Sequence, residues 1–400
     1  MKYIVVLGDG MADRPMPELS GGTPLSAAKT PVLDALARES EIGMTKTIPE
    51  GMTPGSDTAN LAVLGYNPRR YYTGRSPLEA LSIGVPMKPT DIAIRTNIVT
   101  LSEEDVPYEE RTIIDHSSDE IPTADAAILL DAVRKELENE KYHFYVGTSY
   151  RHLLIVDRGE VVPLTPPHDV LAKVIGPNLP QDPELRDMMK KSFDILNNHP
   201  LNLERAKKGL HKANSLWFWG AGTKPSLDSF EEKTHKKGVM ISAVDLLKGI
   251  AVGAGMKVII VPGADGTLHT NYQGKAEAAV KALTQDGYDF AYIHIEAPDE
   301  MGHMGSLADK IESIESIDGK VVKTVLDGMR ASGEPFRLLV MPDHPTPVHV
   351  RTHTTDPIPY LLYDSTAPQK HDWHYNEAEA AKSGNFTEEG YRLIDHLFER

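Results

Sequence analysis

Acidic and histidine side chains stand just beyond three separate apolar runs of this chain. Tyr3-Ile4-Val5-Val6-Leu7 leads into Gly8-Asp9-Gly10, and Phe290-Ala291-Tyr292-Ile293-His294-Ile295 leads, after a short spacer, into Asp299 and His303. Leu338-Leu339-Val340-Met341 leads into Asp343-His344, with His353 close behind. These are the oxygen and nitrogen donors that bind divalent cations, and together they suffice for two ions. Asp299 and His303 are four residues apart, so one helical turn presents both the same way. Two metals about 4 Å apart are the usual clamp for in-line displacement at phosphorus. A single Asp after a strand is commonly a helix cap and a single His is commonly solvated. The same residue types after three strands favour a joint site.

Phosphoryl transfer also needs a nucleophile. Ser56 follows Pro54-Gly55 at the start of a predicted helix, where backbone N–H groups and the positive helix end favour both an alkoxide and a phosphate. Local sequence leaves the alternative of an ordinary N-cap serine open, because Pro-Gly-Ser-Asp is also generic turn chemistry.

The elements that must position these residues read as α/β at both ends of the chain. Each ligand-bearing run reads as a buried strand, and open α/β sheets place their chemistry beyond the carboxyl ends of parallel strands. Thr30-Pro31 predicts the start of a helix over Val32 to Ala37, and a second helix runs from Pro54-Gly55-Ser56-Asp57 through Leu64. From about Asp91 the pattern changes. Ile92 to Val99 alternates like a strand, Ala124 to Asn139 like a helix, and Leu153 to Val162 suggests a hairpin around Asp157-Arg158-Gly159. A polar helix near Pro183 to Asn197, the run Ser215 to Trp219 and the charged stretch Glu231 to Lys237 complete an α+β insert. Trp217 and Trp219 read as strand packing. The α/β pattern resumes at Val239 with a helix, then a strand over Val258 to Val261 and a helix over Gly274 to Leu283. The expected organisation is a discontinuous domain, 1–90 with 238–400, interrupted by an inserted domain, 91–237.

Composition narrows the chemistry. With no cysteine among 400 residues there is no thiolate ligand, disulfide or cysteine nucleophile, so a metal site must use oxygen and nitrogen, favouring manganese, zinc or magnesium. A net charge of -16 without a basic stripe argues against nucleic acid. The longest apolar stretch, Ile241 to Val261, is broken by Asp245, Lys248 and Lys257, and the first residues lack a signal-peptide pattern. The expectation is a soluble, cytoplasmic protein; if its substrate is anionic, binding must rely on local Arg and Lys clusters and metal ions against an unfavourable overall field. Oligomeric state is not legible. No Walker-type phosphate loop occurs.

Gly8-Asp9-Gly10, the segment Gly51 to Asn60, Ala297-Pro298-Asp299-Glu300-Met301-Gly302-His303, and Asp343-His344-Pro345-Thr346-Pro347 with His353 resemble the cofactor-independent phosphoglycerate mutases. The resemblance is to the archaeal-type branch within the alkaline phosphatase superfamily and spans nearly the whole chain. It implies an alkaline-phosphatase-like α/β core sheet interrupted by a substrate-covering α+β domain, two metals, commonly manganese, and a transiently phosphorylated serine. Carried onto this sequence, Asp9, Ser56, Asp343 and His344 surround one metal and Asp299, His303 and His353 hold the other. Lys248 falls where the family neutralises phosphate. In the insert, Arg95 with Asn97 and Arg151 with His152 match substrate-binding positions, while His168 and Asp169, with His152 also open, are the acid/base candidates. Asp115 to Glu120 departs from the glycine-containing motif expected of this branch. That departure keeps a homoserine kinase-like phosphotransferase, or a phosphatase, as the alternative activity on the same serine and metals.

Overall fold

The structure, a computed structural model describing residues 1–399, divides into two compact units: Met1–Tyr72 with Ser226–Arg400, and Thr73–Pro225. Both boundaries fall earlier than expected. Helix Arg75–Ser82 buries Leu78 and Ala80, and Ala80 joins Ala93, Leu153 and Ile155 in the second unit's packing. Phe230 instead packs on Phe290, with ring centroids 4.9 Å apart, and so belongs to the first unit.

In chain order the strands are β1 (Lys2–Gly8), β2 (Glu41–Thr45), β3 (Ile92–Leu101), β4 (Ile113–Asp115), β5 (Tyr142–Thr148) and β6 (Arg151–Val156). There follow β7 (Ser215–Thr223), β8 (Gly238–Ile241), β9 (Lys257–Val258), β10 (Phe290–Ile295), β11 (Phe336–Met341), β12 (Ile358–Asp364) and β13 (Phe386–Thr387). The first unit holds an eight-stranded sheet in the order β13-β2-β12-β11-β1-β10-β8-β9. Its centre is parallel, with β1 between β10 and β11. These strands are continuous apolar runs because a parallel sheet is covered on both faces. The core contains Ile4, Val6, Ile293 and Val340 together with Ala276, Ala279 and Val325 from helices Tyr272–Thr284 and Lys323–Ser332. The sequence reading missed β8, placing a helix directly at Val239, and did not anticipate that β12 runs antiparallel to β11.

The second unit is an antiparallel five-stranded sheet, β4-β3-β6-β5 with β7 also on β3, backed by helices Thr123–Leu137 and Pro183–Leu196. The expected hairpin lies one turn earlier in the chain. β5 and β6 pair across Ser149-Tyr150, where Ser149 takes a left-handed φ of 56°, and Asp157-Arg158-Gly159 merely ends β6. No helix among the described residues is long and apolar enough to cross a membrane.

Thr30 precedes helix Pro31–Ala37, but its side chain makes no capping hydrogen bond. The amides of Leu33 and Val32 donate instead to the Asp318 carboxylate, at 2.7 and 3.3 Å, from a π-helical stretch, Ile317–Val322, almost three hundred residues away. Asp318→Ala should therefore lower the unfolding free energy by about 1–2 kcal/mol, the usual cost of a lost cap, and by more than Thr30→Ala. Chemical denaturation of the two variants checks this; a larger loss for Thr30→Ala would return the cap to the sequence-local residue.

Candidate active site

The register of the central strands brings the acidic residues together. Leu7 is paired with Met341 on one side and His294 on the other, so Asp9 and Asp343 leave their strands side by side, each two residues further on. Gly10 makes the turn possible. Its φ is +61°, and a Cβ there would lie 2.6 Å from Asp299 Oδ1 and 2.8 Å from Asp299 Cα. Asp299 and His303 sit one turn apart on helix Ala297–Met304, which follows β10.

All seven expected ligand residues fall in one cluster. Ser56 Oγ lies 3.1 Å from His344 Nε2 and 3.4 Å from Asp9 Oδ2. His344 Nε2 is 3.5 Å from Asp9 Oδ1 and 3.4 Å from Asp343 Oδ2. His303 Nε2 and His353 Nε2 lie 3.2 and 3.3 Å from the Asp299 carboxylate and 3.1 Å from each other. His344 bridges the two groups, since its donor atoms lie within 4.8 Å of those of Asp9 and Asp343 and also of Asp299 and His353.

The electrostatics fit divalent cations. Burial, then repulsion by Asp343 and Asp299, pushes the Asp9 carboxyl well above its ordinary range. Asp9 Oδ1 is buried without a hydrogen-bond partner. Burial also acts to raise Asp299 but is outweighed by hydrogen bonds with His303 and His353, which hold it well down; the Asp299 bond in turn lifts His303 to about 9. Burial lowers His344, keeping its ring neutral. Crowded carboxylates, an orphaned oxygen and converging imidazole nitrogens suit hard or borderline divalent metals.

Several supporting residues were given no role by the sequence reading, although Asn60 and Thr346 lie within its motif segments. His294, wholly buried on β10, contacts Asp9 Oδ2 at 2.9 Å. Asn60 donates to Asp343 Oδ2 at 2.9 Å and accepts from Tyr292 at 2.6 Å, while the Thr346 hydroxyl donates to Asp299. A polar residue inside an apolar strand, such as His294, was the available signal. Lys248 is on helix Asp245–Gly253, which packs against the helix that Ser56 begins, and its ion pair is with Asp245 at 3.1 Å.

Within the second unit, Arg95, Asn97 and Arg151 share one face of the sheet, Asn97 being paired with Arg151. Glu79 binds Arg95 at 2.9 Å and Arg75 at 3.1 Å. The Arg95 guanidinium lies over the Trp219 ring at 4.6 Å, and burial pulls it to about 10, leaving it charged at neutral pH. Trp219 Nε1 donates to Asn97 Oδ1 at 3.0 Å, so this tryptophan is part of the polar cluster; Trp217 is core, as expected. His168 meets the Trp219 ring edge-on and lies 3.9 Å from Asp169; burial, reinforced by His116, Arg95 and Arg75 against Asp169, lowers its basicity.

His152 does not join this face. It alternates with Arg151 onto the side of Leu154 and Val156, in the unit's main core, and its Nδ1 accepts from the Gly147 amide at 3.1 Å. Adjacent strand residues cannot share a face, which corrects the expectation that both bind substrate.

A family model described as 2,3-bisphosphoglycerate-independent phosphoglycerate mutase matches residues 37–202. A protein of that name from Methanosarcina acetivorans is 45% identical over 96% of each chain. A probable one from Geobacter sulfurreducens is 44% identical over the full length of both. Among solved structures, a Pyrococcus horikoshii protein superposes with a TM-score of 0.81 at 29% identity, covering 99% of this chain and 96% of its own. The cofactor-independent phosphoglycerate mutase of Thermoplasma acidophilum gives 0.63 at 27%, covering 99% of each.

Burial alone pulls His152 down to about 4, against about 6.5 in an unfolded chain. Between those values the unfolded state binds the extra proton, so folded stability falls as pH drops from 6.5 towards 4. His152→Gln should reduce the difference in unfolding free energy between pH 7 and pH 4.5. An unchanged difference would show that the ring is not held neutral by the fold.

Proposed function

The chain belongs to the 2,3-bisphosphoglycerate-independent phosphoglycerate mutases, and from that premise we propose that it interconverts 3-phosphoglycerate and 2-phosphoglycerate through a phosphorylated Ser56. It is an isomerase, an intramolecular phosphotransferase. The observation that carries the assignment is Ser56 Oγ, at the first residue of helix Ser56–Val63 and within 3.5 Å of both Asp9 and His344.

In this reading Asp9, Ser56, Asp343 and His344 hold one divalent metal and Asp299, His303 and His353 a second. The metals, for which we propose manganese, supply Lewis-acid activation of the serine hydroxyl and neutralise phosphoryl charge when bound. Ser56 enters and leaves the cycle as the alkoxide: its oxygen forms a bond to phosphorus while the bond from phosphorus to the substrate's C3 oxygen breaks, so the only proton moved within the cycle is the one His168 carries between the two substrate oxygens. The amides of the helix start and Lys248 stabilise the added charge. Arg95 and Arg151, with Asn97, take the substrate carboxylate, for which the planar guanidinium is suited.

His168, oriented by Trp219 and Asp169, gives a proton to the departing oxygen. It then takes one from the C2 hydroxyl as that oxygen attacks phosphoserine and frees Ser56. An imidazole can both give and accept a proton near neutral pH, although burial lowers the basicity of this one. His152 is set aside for this role because both its ring nitrogens lie in the core.

With manganese and no bisphosphoglycerate primer, the protein should convert 3-phosphoglycerate in an enolase-coupled assay and give no product from homoserine and ATP. Chelation should abolish turnover and added manganese restore it. Ser56→Ala should cut the rate by about a thousandfold or more with two metals still bound. Turnover retained in that variant would remove the phosphoserine from the scheme, and phosphorylation of homoserine would move the activity to the kinase-like alternative.

A further inference from the structure

Asp9 contributes only one of its two oxygens freely. Oδ2 faces His294 Nε2 at 2.9 Å and, more distantly, the Ser56 hydroxyl at 3.4 Å, whereas Oδ1 is buried without a hydrogen-bond partner, 3.5 Å from His344 Nε2. A carboxylate that ligates a metal is ionised and can only accept, so with Asp9 in that state His294 Nε2 carries the proton and donates it to Oδ2. A neutral imidazole then has its lone pair on Nδ1. That nitrogen lies 3.1 Å from Ser242 Oγ, which also accepts from the Val244 amide at 3.0 Å and is left with its own proton to give. With Asp9 ionised, the chain runs Val244 N–H to Ser242, Ser242 O–H to His294 Nδ1 and His294 Nε2–H to Asp9. The backbone at His294 is pinned as well, because the buried Lys275 ammonium donates to its carbonyl at 3.1 Å.

We propose that His294 is a positioning residue for the metal that Asp9 holds: it occupies Asp9 Oδ2, fixes the carboxylate's rotation and leaves Oδ1 as the metal donor. Ser242 sets the histidine tautomer that makes this donation work. The same strand supplies a parallel device two residues earlier, on the same side of β10, where Tyr292 donates to Asn60 and Asn60 donates to Asp343 Oδ2. Partners that orient a ligand in this way are typically worth about 10–100-fold in metal affinity.

The inference rests on the two-metal assignment above, and the experiment separates the two. Manganese binding to the full chain is measured by calorimetry and by metal content after dialysis, with folding followed by circular dichroism. Two manganese ions per wild-type chain support the assignment; none would overturn that assignment itself. His294→Phe keeps the ring's shape without its nitrogens and should weaken one of the two sites about 10–100-fold while leaving the other unchanged. His294→Gln, whose amide can donate from the place of Nε2, should recover most of that affinity. Ser242→Ala should weaken the same single site several-fold, and it decides the matter if His294→Phe does not fold. Wild-type affinity at both sites in His294→Phe, a Gln variant as weak as the Phe variant, or an unaffected Ser242→Ala would overturn the proposal.

Discussion

Asp9, Asp343 and Asp299 are buried within reach of one another, and the rest of the first unit is organised around keeping them there. Like charges out of water repel strongly, and at Asp9 burial and that repulsion favour the protonated form. The fold opposes this with fixed donors: the Gly10 and His344 amides on Asp343 Oδ1, Asn60 on Asp343 Oδ2, His294 on Asp9 and Thr346 on Asp299. Such donors orient the carboxylates but leave a net negative cavity. The register of three parallel strands supplies the rigidity, since moving either neighbour along β1 would separate Asp9 from Asp343 or His294.

The ligands were legible because their chemistry is carried by residue type and their placement by the ends of apolar runs. Strands β1, β10 and β11 are long enough and apolar enough to be read directly. What was lost has particular causes. The β8 strand is only four residues, Gly238–Ile241, and merges into the apolar helix beyond it, so its period could not be seen. The Asp318 cap joins residues nearly three hundred positions apart, a contact that no local pattern encodes. Asn60 and Thr346 act through geometry alone, in a helix and a loop where amides and hydroxyls are unremarkable.

The insert shows the opposite balance. Its strands β3, β6 and β7 were anticipated in outline, but the separation of Arg151 from His152 depends on which face meets the core. Arg151 follows Leu153 and Ile155 onto the side of helix Arg75–Ser82, whereas His152 follows Leu154 and Val156 inward. Both faces of β6 are apolar beyond this pair, so alternation was present in the sequence without a polarity to orient it. Arg75, Glu79 and Trp219 were invisible for a related reason: they become partners of Arg95 only once a helix and an edge of the sheet meet.

The two units therefore present opposite electrostatic problems. The first gathers carboxylates whose repulsion a divalent cation relieves. The second gathers Arg75, Arg95 and Arg151 around the single carboxylate of Glu79, whose own burial acts to raise its proton affinity but is overcome by those arginines, so it stays ionised. Arg95 is nearly excluded from water; its charge is met by Glu79 at 2.9 Å, while its Nε is buried without a hydrogen-bond partner. Burying such a cation is costly unless an anion completes it. With a net charge of -16 the overall field of the chain opposes the approach of any anion, so local clusters of cationic side chains such as this one must offset it.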